Sequence, residues 1–339
     1  MGDHKPGGAA QRPQLMIYKS AVIGLGNIGQ GYDYSFKDDS IVLTHAKAFA
    51  QHSGFDLIGG IDPDPEARHK FFEKYGKSAF SSVTELSRHV VPAVVSISVP
   101  DHLHHAVLSE VLSFSPTIVL CEKPLATDVA TAKRMLLLAK QAGCALAVNY
   151  SRRFEPGVIE LRRMIKDDEF GELFKGTVWY SKGLLNNASH FIDLAVFLLG
   201  NAEDIQILSN GRTLANGDHE PDFKLRIGTC EIYFLSARDE HYTLNSLELL
   251  GTAGRIRYEQ GGLAIRYCKT TASELFPEYT VLSEEILNIK NDMKRIQIHV
   301  LDAIHDFLAN GTPLNSDGES ALQTLEIVNK IVESRGRHV

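Results

Sequence analysis

Short, nearly unbroken apolar runs recur through the first half of the chain: Ala21-Val22-Ile23, Leu57-Ile58 to Ile61, Ala93 to Val99, Ile118-Val119-Leu120 and Ala145 to Val148. Each stops at a turn or polar signal, in order a glycine cluster, Asp62, Pro100, Glu122 and Asn149. Strands without a polar side must be covered on both faces, which is the condition of a parallel sheet held between layers of helices. Between the last two runs Val129, Ala132, Leu136 and Ala139 recur at helical spacing, and Gly143 supplies a stop. This repetition of strand, helix and strand predicts a doubly wound α/β domain over residues 17–148.

The second half changes character. Polar and apolar residues alternate through 173–287, as in FKLRI at 223–227 and EIYFL at 231–235, with Asn210-Gly211 and Gly261-Gly262 as breaks. A period of two with such turn signals predicts a largely antiparallel sheet with one covered face. Helices are expected at 187–199, closed by Gly200, at 289–308 and at 320–334. Residues 149–339 therefore form an α+β domain. Residues 1–16 read as a disordered arm, polar and lacking the apolar stretch of a signal peptide.

Composition excludes several classes. A chain of 339 residues is long enough for two domains with ample core. The net charge of −7, from 42 acidic and 35 basic residues, comes with no long basic run, which argues against non-specific nucleic-acid binding. Cys121, Cys144, Cys230 and Cys268 lie far apart and form no CxxC pair. Neither a zinc ribbon, a thioredoxin-type site nor a secreted disulfide scaffold is indicated. No apolar run approaches the roughly 20 residues of a bilayer span. The expectation is a cytoplasmic protein without metal, nucleic-acid or membrane partners.

Gly24-Leu25-Gly26-Asn27-Ile28-Gly29 reads G-x-G-x-x-G directly after a strand. In a dinucleotide site the first glycine makes the tight turn, the second lets the backbone approach a pyrophosphate, and the third allows close packing of helix on strand. The helix that follows would offer free N–H groups and a favourable dipole. Asp62, ending the second apolar run, can accept from the ribose hydroxyls of NAD and would repel the 2′-phosphate of NADP. It lies 33 residues after Gly29, beyond the roughly 20 that are usual, and segment 31–43 reads as an insertion before a helix resumes at Thr44-His45-Ala46.

Lys123, in Cys121-Glu122-Lys123-Pro124, falls at the carboxyl end of a strand, where ligands bind in this architecture. A lysine there can donate to a substrate oxygen and stabilise alkoxide charge, although most lysines are simply solvated. Asn186, His190 and Asp193 share one face of an otherwise apolar helix. Such polar groups are either hydrogen-bonded in the core or serve a ligand, and histidine is the side chain suited to proton exchange near neutral pH.

In these motifs the sequence resembles the glucose-fructose oxidoreductase / inositol dehydrogenase / MocA family. The likeness runs through Gly24 to Gly29, Asp62, Val99-Pro100-Asp101-His102-Leu103-His104, Glu122-Lys123-Pro124, Arg152-Arg153-Phe154 and Gly183 to Asp193. It implies a Rossmann domain with a parallel sheet, then an α+β domain with an open, mostly antiparallel sheet that helps form the substrate pocket and often a subunit interface. It also implies NAD or NADP, of which Asp62 favours NAD, a sugar, polyol or nucleotide-sugar substrate, and a homodimer or homotetramer. Cofactor contacts would be Gly24, Gly26, Asn27, Ile28, Gly29, Asp62, Pro100, His104, Glu122 and Lys123. Lys123 and His190 would be catalytic and would bind substrate with Asn186, while Lys182 and Tyr150 are candidates for the pocket wall. The family commonly has Asp four residues before the histidine, where this chain has Asn186, and an amide cannot ionise. Three activities fit: a dehydrogenase acting on a secondary alcohol, a non-catalytic dinucleotide-binding regulator, and an NAD-assisted, redox-neutral glycosidase.

Overall fold

The computed structural model describes residues 16–335. Apart from Met16, the N-terminal arm read from the sequence lies outside the described residues.

The first half forms β1 (Tyr18–Ile23), α1 (His45–Gln51), β2 (Phe55–Ile61), α2 (Pro65–Tyr75), β3 (Ala79–Phe80), α3 (Val83–Ser87), β4 (Val94–Ile97), α4 (His104–Leu112), β5 (Ile118–Cys121), α5 (Val129–Gln141) and β6 (Ala145–Val148). The six strands make one parallel sheet in the order β3-β2-β1-β4-β5-β6. That order reverses between β1 and β4, which opens a crevice at their carboxyl ends. The pleat sends successive residues to opposite layers. Ala21 and Ile23 pack with α3, α4 and α5, whereas Val22 packs with α1 and α2.

The second half forms α6 (Pro156–Lys166), β7 (Leu173–Tyr180), α7 (Ser189–Leu199), β8 (Asp204–Thr213), β9 (His219–Ile227), β10 (Cys230–Ser236), β11 (Ser246–Gly251), β12 (Gly254–Glu259), β13 (Ala264–Ala272), β14 (Thr280–Leu282), β15 (Leu287–Ile289), α8 (Ile296–Asn310) and α9 (Gly318–Arg335). Its sheet runs β14-β13-β12-β11-β7-β10-β9-β8, with β15 paired to β13. Only the β7–β10 pairing is parallel. One face is buried under α6, α7 and α9. Across β9 and β10, Phe223 and Phe234 stack on that face with centroids 4.5 Å apart. Together the two halves give the expected architecture. Among the described residues no helix is long and apolar enough to cross a membrane.

The last two helices join the layers. Ile298, Val300, Leu301 and Ile304 of α8 pack on the parallel sheet, on the face of α1 and α2. α9 gives Ala321, Leu322 and Leu325 to the first core and Ile327, Val328 and Ile331 to the second.

Two elements differ from the sequence reading. The helix expected from residue 289 begins at Ile296, because Ile289 pairs with Ile265 across β15 and β13. A short apolar stretch fits either period, and the sheet edge claims it. The helix expected after the glycine cluster is a single π-turn, Asn27–Gly31. Asp33, fully buried, accepts from Leu43 N at 2.7 Å and from Thr44 N at 3.1 Å and Oγ1 at 2.7 Å, so segment 32–43 closes on itself and α1 starts afresh at His45.

Asp193 on α7 is structural. Its carboxylate takes a bidentate bond from Arg153, at 2.8 and 2.7 Å, and another from Thr324 Oγ1 at 3.0 Å. Arg153 is 5% exposed and Asp193 1%. The pair ties the turn after β6 to α7 and α9. Removing one partner of a buried pair strands the other charge. Asp193→Ala is therefore expected to lower the free energy of unfolding by about 3–5 kcal/mol; a urea midpoint equal to that of the wild type would refute the structural role.

Candidate active site

The glycine cluster behaves as its spacing requires. A Cβ on Gly24 (φ +89°) would lie 2.6 Å from the Ser98 carbonyl, and one on Gly29 would lie 2.0 Å from the Gly24 carbonyl oxygen. A Cβ on Gly26 meets nothing within 4 Å. The first and third positions are closed by the protein itself, and the second faces open space where a pyrophosphate can come close to the backbone. Because the helix behind is one π-turn, the dipole expected there is reduced to that of a single turn.

Beside this turn a cavity of about 490 Å³ is lined by Gly26, Asn27, Tyr34, Asp62, Asp64 and Lys70. Asp62 accepts from Leu25 N and Asp64 N, each at 2.8 Å. Its carboxylate is thus fixed at the cavity wall despite the long spacing from Gly29. Segment 32–43 accounts for that spacing, and its Tyr34 forms part of the wall.

A second cavity, of about 710 Å³, includes Ile28, Pro100, Glu122, Lys123, Asn186 and Asp218 in its lining. It lies between the two sheets. Lys123, two residues past the end of β5, is half-buried, and its Nζ donates to the Asn186 carbonyl at 3.0 Å. Burial holds the Lys123 ammonium below the usual lysine value; Glu122 opposes this and Arg152 adds to it. His190, near the start of α7, is half-buried with its ring edge-on to Tyr150 at 6.1 Å. Burial, then Lys123, then Arg152 hold His190 well below the usual histidine value. Tyr150 is itself buried, which pushes its phenol up. Arg152 lies over the Phe191 ring at 5.6 Å, and among the described residues its Nε has no partner. A base that stays neutral beside two cations suits removal of a hydroxyl proton and stabilisation of the resulting oxygen charge.

Several expected site residues stand elsewhere. His104 is buried as a brace, with Nδ1 3.1 Å from the Pro124 carbonyl oxygen and Nε2 3.0 Å from that of Val99, so it holds the turns rather than a cofactor. Glu122 borders the cavity, but its carboxylate is engaged by His45 at 2.8 Å and by Asn149 at 2.6 Å. Lys182 is exposed and pairs with Asp239 at 3.7 Å. Asn186 acts through its backbone. Pro100 lines the cavity as expected. The sequence reading assigned no role to Arg152, His45 or Asp218. Arg152 carried one signal, its place just past β6; the roles of the other two depend on partners far away in the chain.

Residues 18–150 match the family described as an oxidoreductase family with an NAD-binding Rossmann fold. The chain is 24% identical to inositol 2-dehydrogenase of Rhizobium meliloti over 59% of this chain and 60% of that protein. It is 25% identical to D-glucoside 3-dehydrogenase of Escherichia coli over 53% of each. The chain thus spans a little over half the length of these curated relatives. Among solved structures, the WlbA dehydrogenase from Bordetella pertussis, in complex with NADH and UDP-GlcNAcA, superposes with a TM-score of 0.74 at 21% identity, covering 96% of this chain and 97% of that one. An oxidoreductase from Agrobacterium radiobacter, in complex with NAD+, L-tartaric acid and magnesium, gives 0.74 at 17% identity, covering 94% and 96%. These likenesses show the fold.

The glycines make a test. Gly26 has φ −75°, which alanine adopts freely, and its Cβ would meet no protein atom. Gly26→Ala is expected to keep the wild-type melting temperature and to bind NAD at least about tenfold more weakly, a loss of roughly 1.4 kcal/mol. Gly29→Ala is expected to destabilise the fold itself. Calorimetric titration and thermal melting of both variants read this out, and undiminished NAD affinity in Gly26→Ala would refute the assignment.

Proposed function

We propose, from the match of residues 18–150 to the glucose-fructose oxidoreductase / inositol dehydrogenase / MocA family, that the chain is an NAD-dependent dehydrogenase. Its substrate is a secondary alcohol of a sugar, polyol or nucleotide-sugar. The observation that carries this reading is the pairing of half-buried Lys123, at the carboxyl end of β5, with His190, a histidine held neutral beside it. Relatives named for oxidation at a ring position of inositol and of glucosides support the substrate class.

The open face at Gly26 and the fixed Asp62 fit the dinucleotide. Gly26, Asn27, Ile28 and Asp62 would hold NAD, with Pro100 and Lys123 nearer its reactive end. Asp62 and its neighbours Asp64 and Glu66 favour NAD over NADP, since a 2′-phosphate would enter a wall of carboxylates. Bound NAD supplies the two-electron acceptor for the hydrogen on the substrate carbon. His190 takes the hydroxyl proton. Lys123 donates a hydrogen bond to the same oxygen and stabilises its growing negative charge, and Arg152 adds a second positive charge nearby. Asn186 lines the cavity, and Tyr150 backs the His190 ring from behind it.

Absorbance of NADH, with purified protein, NAD and a panel of sugars, polyols and nucleotide-sugars, tests the reading. One substrate class should give turnover. His190→Ala should lose about 10²–10⁴-fold in kcat, and Lys123→Ala about 10²–10³-fold. Bound NAD without turnover on any member would favour a regulator, and release of free sugar without net NADH would favour the glycosidase. The pH profile is fixed in direction. Oxidation needs neutral His190 and cationic Lys123, so kcat/KM should fall on the acid side only below 6.5 and on the alkaline side below 10.5. An acid limb at or above 6.5 would exclude His190 as the base.

A further inference from the structure

The turn between β8 and β9, residues 214–218, belongs to the far edge of the second sheet, yet Asn216, Gly217 and Asp218 line the same cavity as Lys123. The turn is closed by Leu214 N donating to the Asp218 carbonyl at 2.7 Å and by Gly217 N donating to the Leu214 carbonyl at 2.9 Å. The Asn216 side chain accepts from Asp218 N at 3.1 Å. Asp218 is 6% exposed. Among the described residues it has no cationic side chain within ion-pair distance. Its carboxylate is instead met by backbone amides: Leu185 N at 3.0 Å, Asn186 N at 3.1 Å and its own His219 N at 2.7 Å. Two of these belong to the π-turn Leu184–Ala188 that leads into α7. Amides that bond an ionised carboxylate make bonds about twice as strong as neutral ones.

The approach is close. Gly183 has φ +96°, and a Cβ there would stand 2.0 Å from Asp218 Oδ2. Gly183 N also donates to Glu220 Oε1 at 3.2 Å, so two carboxylates from β9 and its turn grip the entry to α7. The residue whose N–H is held by Asp218 is the residue whose carbonyl receives Lys123 Nζ at 3.0 Å.

We propose that Asp218 is a positioning residue: by fixing the Leu184–Ala188 turn it sets where the Asn186 carbonyl, and through it the Lys123 amine, stands in the cavity. Its consequence for turnover rests on the dehydrogenase reading; the positioning itself does not. The charges that face Lys123 are Glu122 and Asp101 from the parallel-sheet domain, with Arg152, His190 and Asp218 on the other side. Asp218 is one of the groups that favour the ammonium form. Replacing it with a neutral amide therefore acts twice in one direction. The tether on the amine slackens, and more of the amine is unprotonated at a given pH.

The test measures Lys123 without needing a substrate. The full chain and its Asp218→Asn variant are labelled with trinitrobenzenesulfonate at pH 8, and modified lysines are quantified by peptide mass spectrometry. Lys133 and Lys175, which pair with Glu326 and Glu231 on the surface, serve as internal references. Lys123 should react at least about threefold faster in Asp218→Asn, the change that a fall of about half a pH unit in its titration would give, with the reference lysines unchanged. Labelling of Lys123 at the wild-type rate in the folded variant overturns the proposal. Should Asp218→Asn fail to fold, Asp218→Glu keeps the charge and shifts the carboxylate by one methylene; faster labelling of Lys123 again supports the proposal and an unchanged rate overturns it. Where the panel above also gives turnover, Asp218→Asn should lower kcat and leave the KM for NAD unchanged. Faster labelling in a protein that makes no NADH would keep the positioning role and remove the dehydrogenase reading.

Discussion

Glu122 carries its carboxylate into the interior at the carboxyl end of β5, and an ionised group there must be surrounded by donors. Burial pushes the Glu122 acid up, but hydrogen bonds from His45 and Asn149 more than offset this and hold it below the usual value. Meeting that requirement brings distant parts of the chain together. His45 opens α1, and it reaches this point because Asp33 closes the preceding segment on Thr44. Asn149 follows β6 and also donates to Gln297 of α8 at 3.3 Å. Four elements therefore converge beneath the residue that follows Glu122, which is Lys123. The lysine stands on a fixed base, and its stem cannot shift without disturbing a buried polar network.

The proposed catalytic pair is divided between the halves of the molecule, so its geometry depends on how the two sheets are locked. Lys123 comes from the parallel sheet and His190 from the helix that covers the antiparallel one. The lock is apolar, through α8 and α9. Asp193 lies one turn beyond His190, so its bonds to Arg153 and Thr324, within the second half, fix the helix register that presents the histidine. Asp218 acts on the turn that enters the same helix. Polar anchors at the entry and in the first half of α7 fix a position that its apolar faces would not specify alone.

Legibility in the sequence followed the distance between cause and effect. The parallel strands, the glycine turn and the alternating second sheet were readable because each depends on neighbours a few residues apart. Asp62 was readable despite an odd spacing, since its place at the end of β2 mattered more than the count from Gly29. The role of Asp193 stayed open between a core hydrogen bond and a ligand, because the partner that decides it is distant. Its helical spacing from His190 is real, but its charge is claimed by Arg153, 40 residues earlier. His104 looked like a cofactor contact because it sits in the turn after β4, while its ring is used by carbonyls on another turn. Ile289 fits a helix period and a strand period equally, and only the partner strand decides. Asp218 was invisible because nothing near it in the chain marks a loop that crosses to the cleft. Arg152 was quoted within a motif, but its placement over Phe191 needed the fold.

Asn186 carries no charge that could raise the basicity of His190, and the residues that surround the histidine lower it. Lys123 and Arg152 are both cations, and both weaken the imidazole as a base. Taken alone this would slow removal of a proton. In the proposed reaction, however, the same two charges would also act on the substrate oxygen, making the hydroxyl a stronger acid and its alkoxide more stable. Proton transfer depends on the difference between the two partners, not on either value. A field that lowers both by similar amounts preserves that difference and shifts the working range toward lower pH. On the dehydrogenase reading, then, the uncharged residue at 186 is not a defect to be repaired elsewhere. The balance between base and alcohol would be set by a shared positive field, and the position of Lys123, tethered to the Asn186 carbonyl, would set the strength of that field.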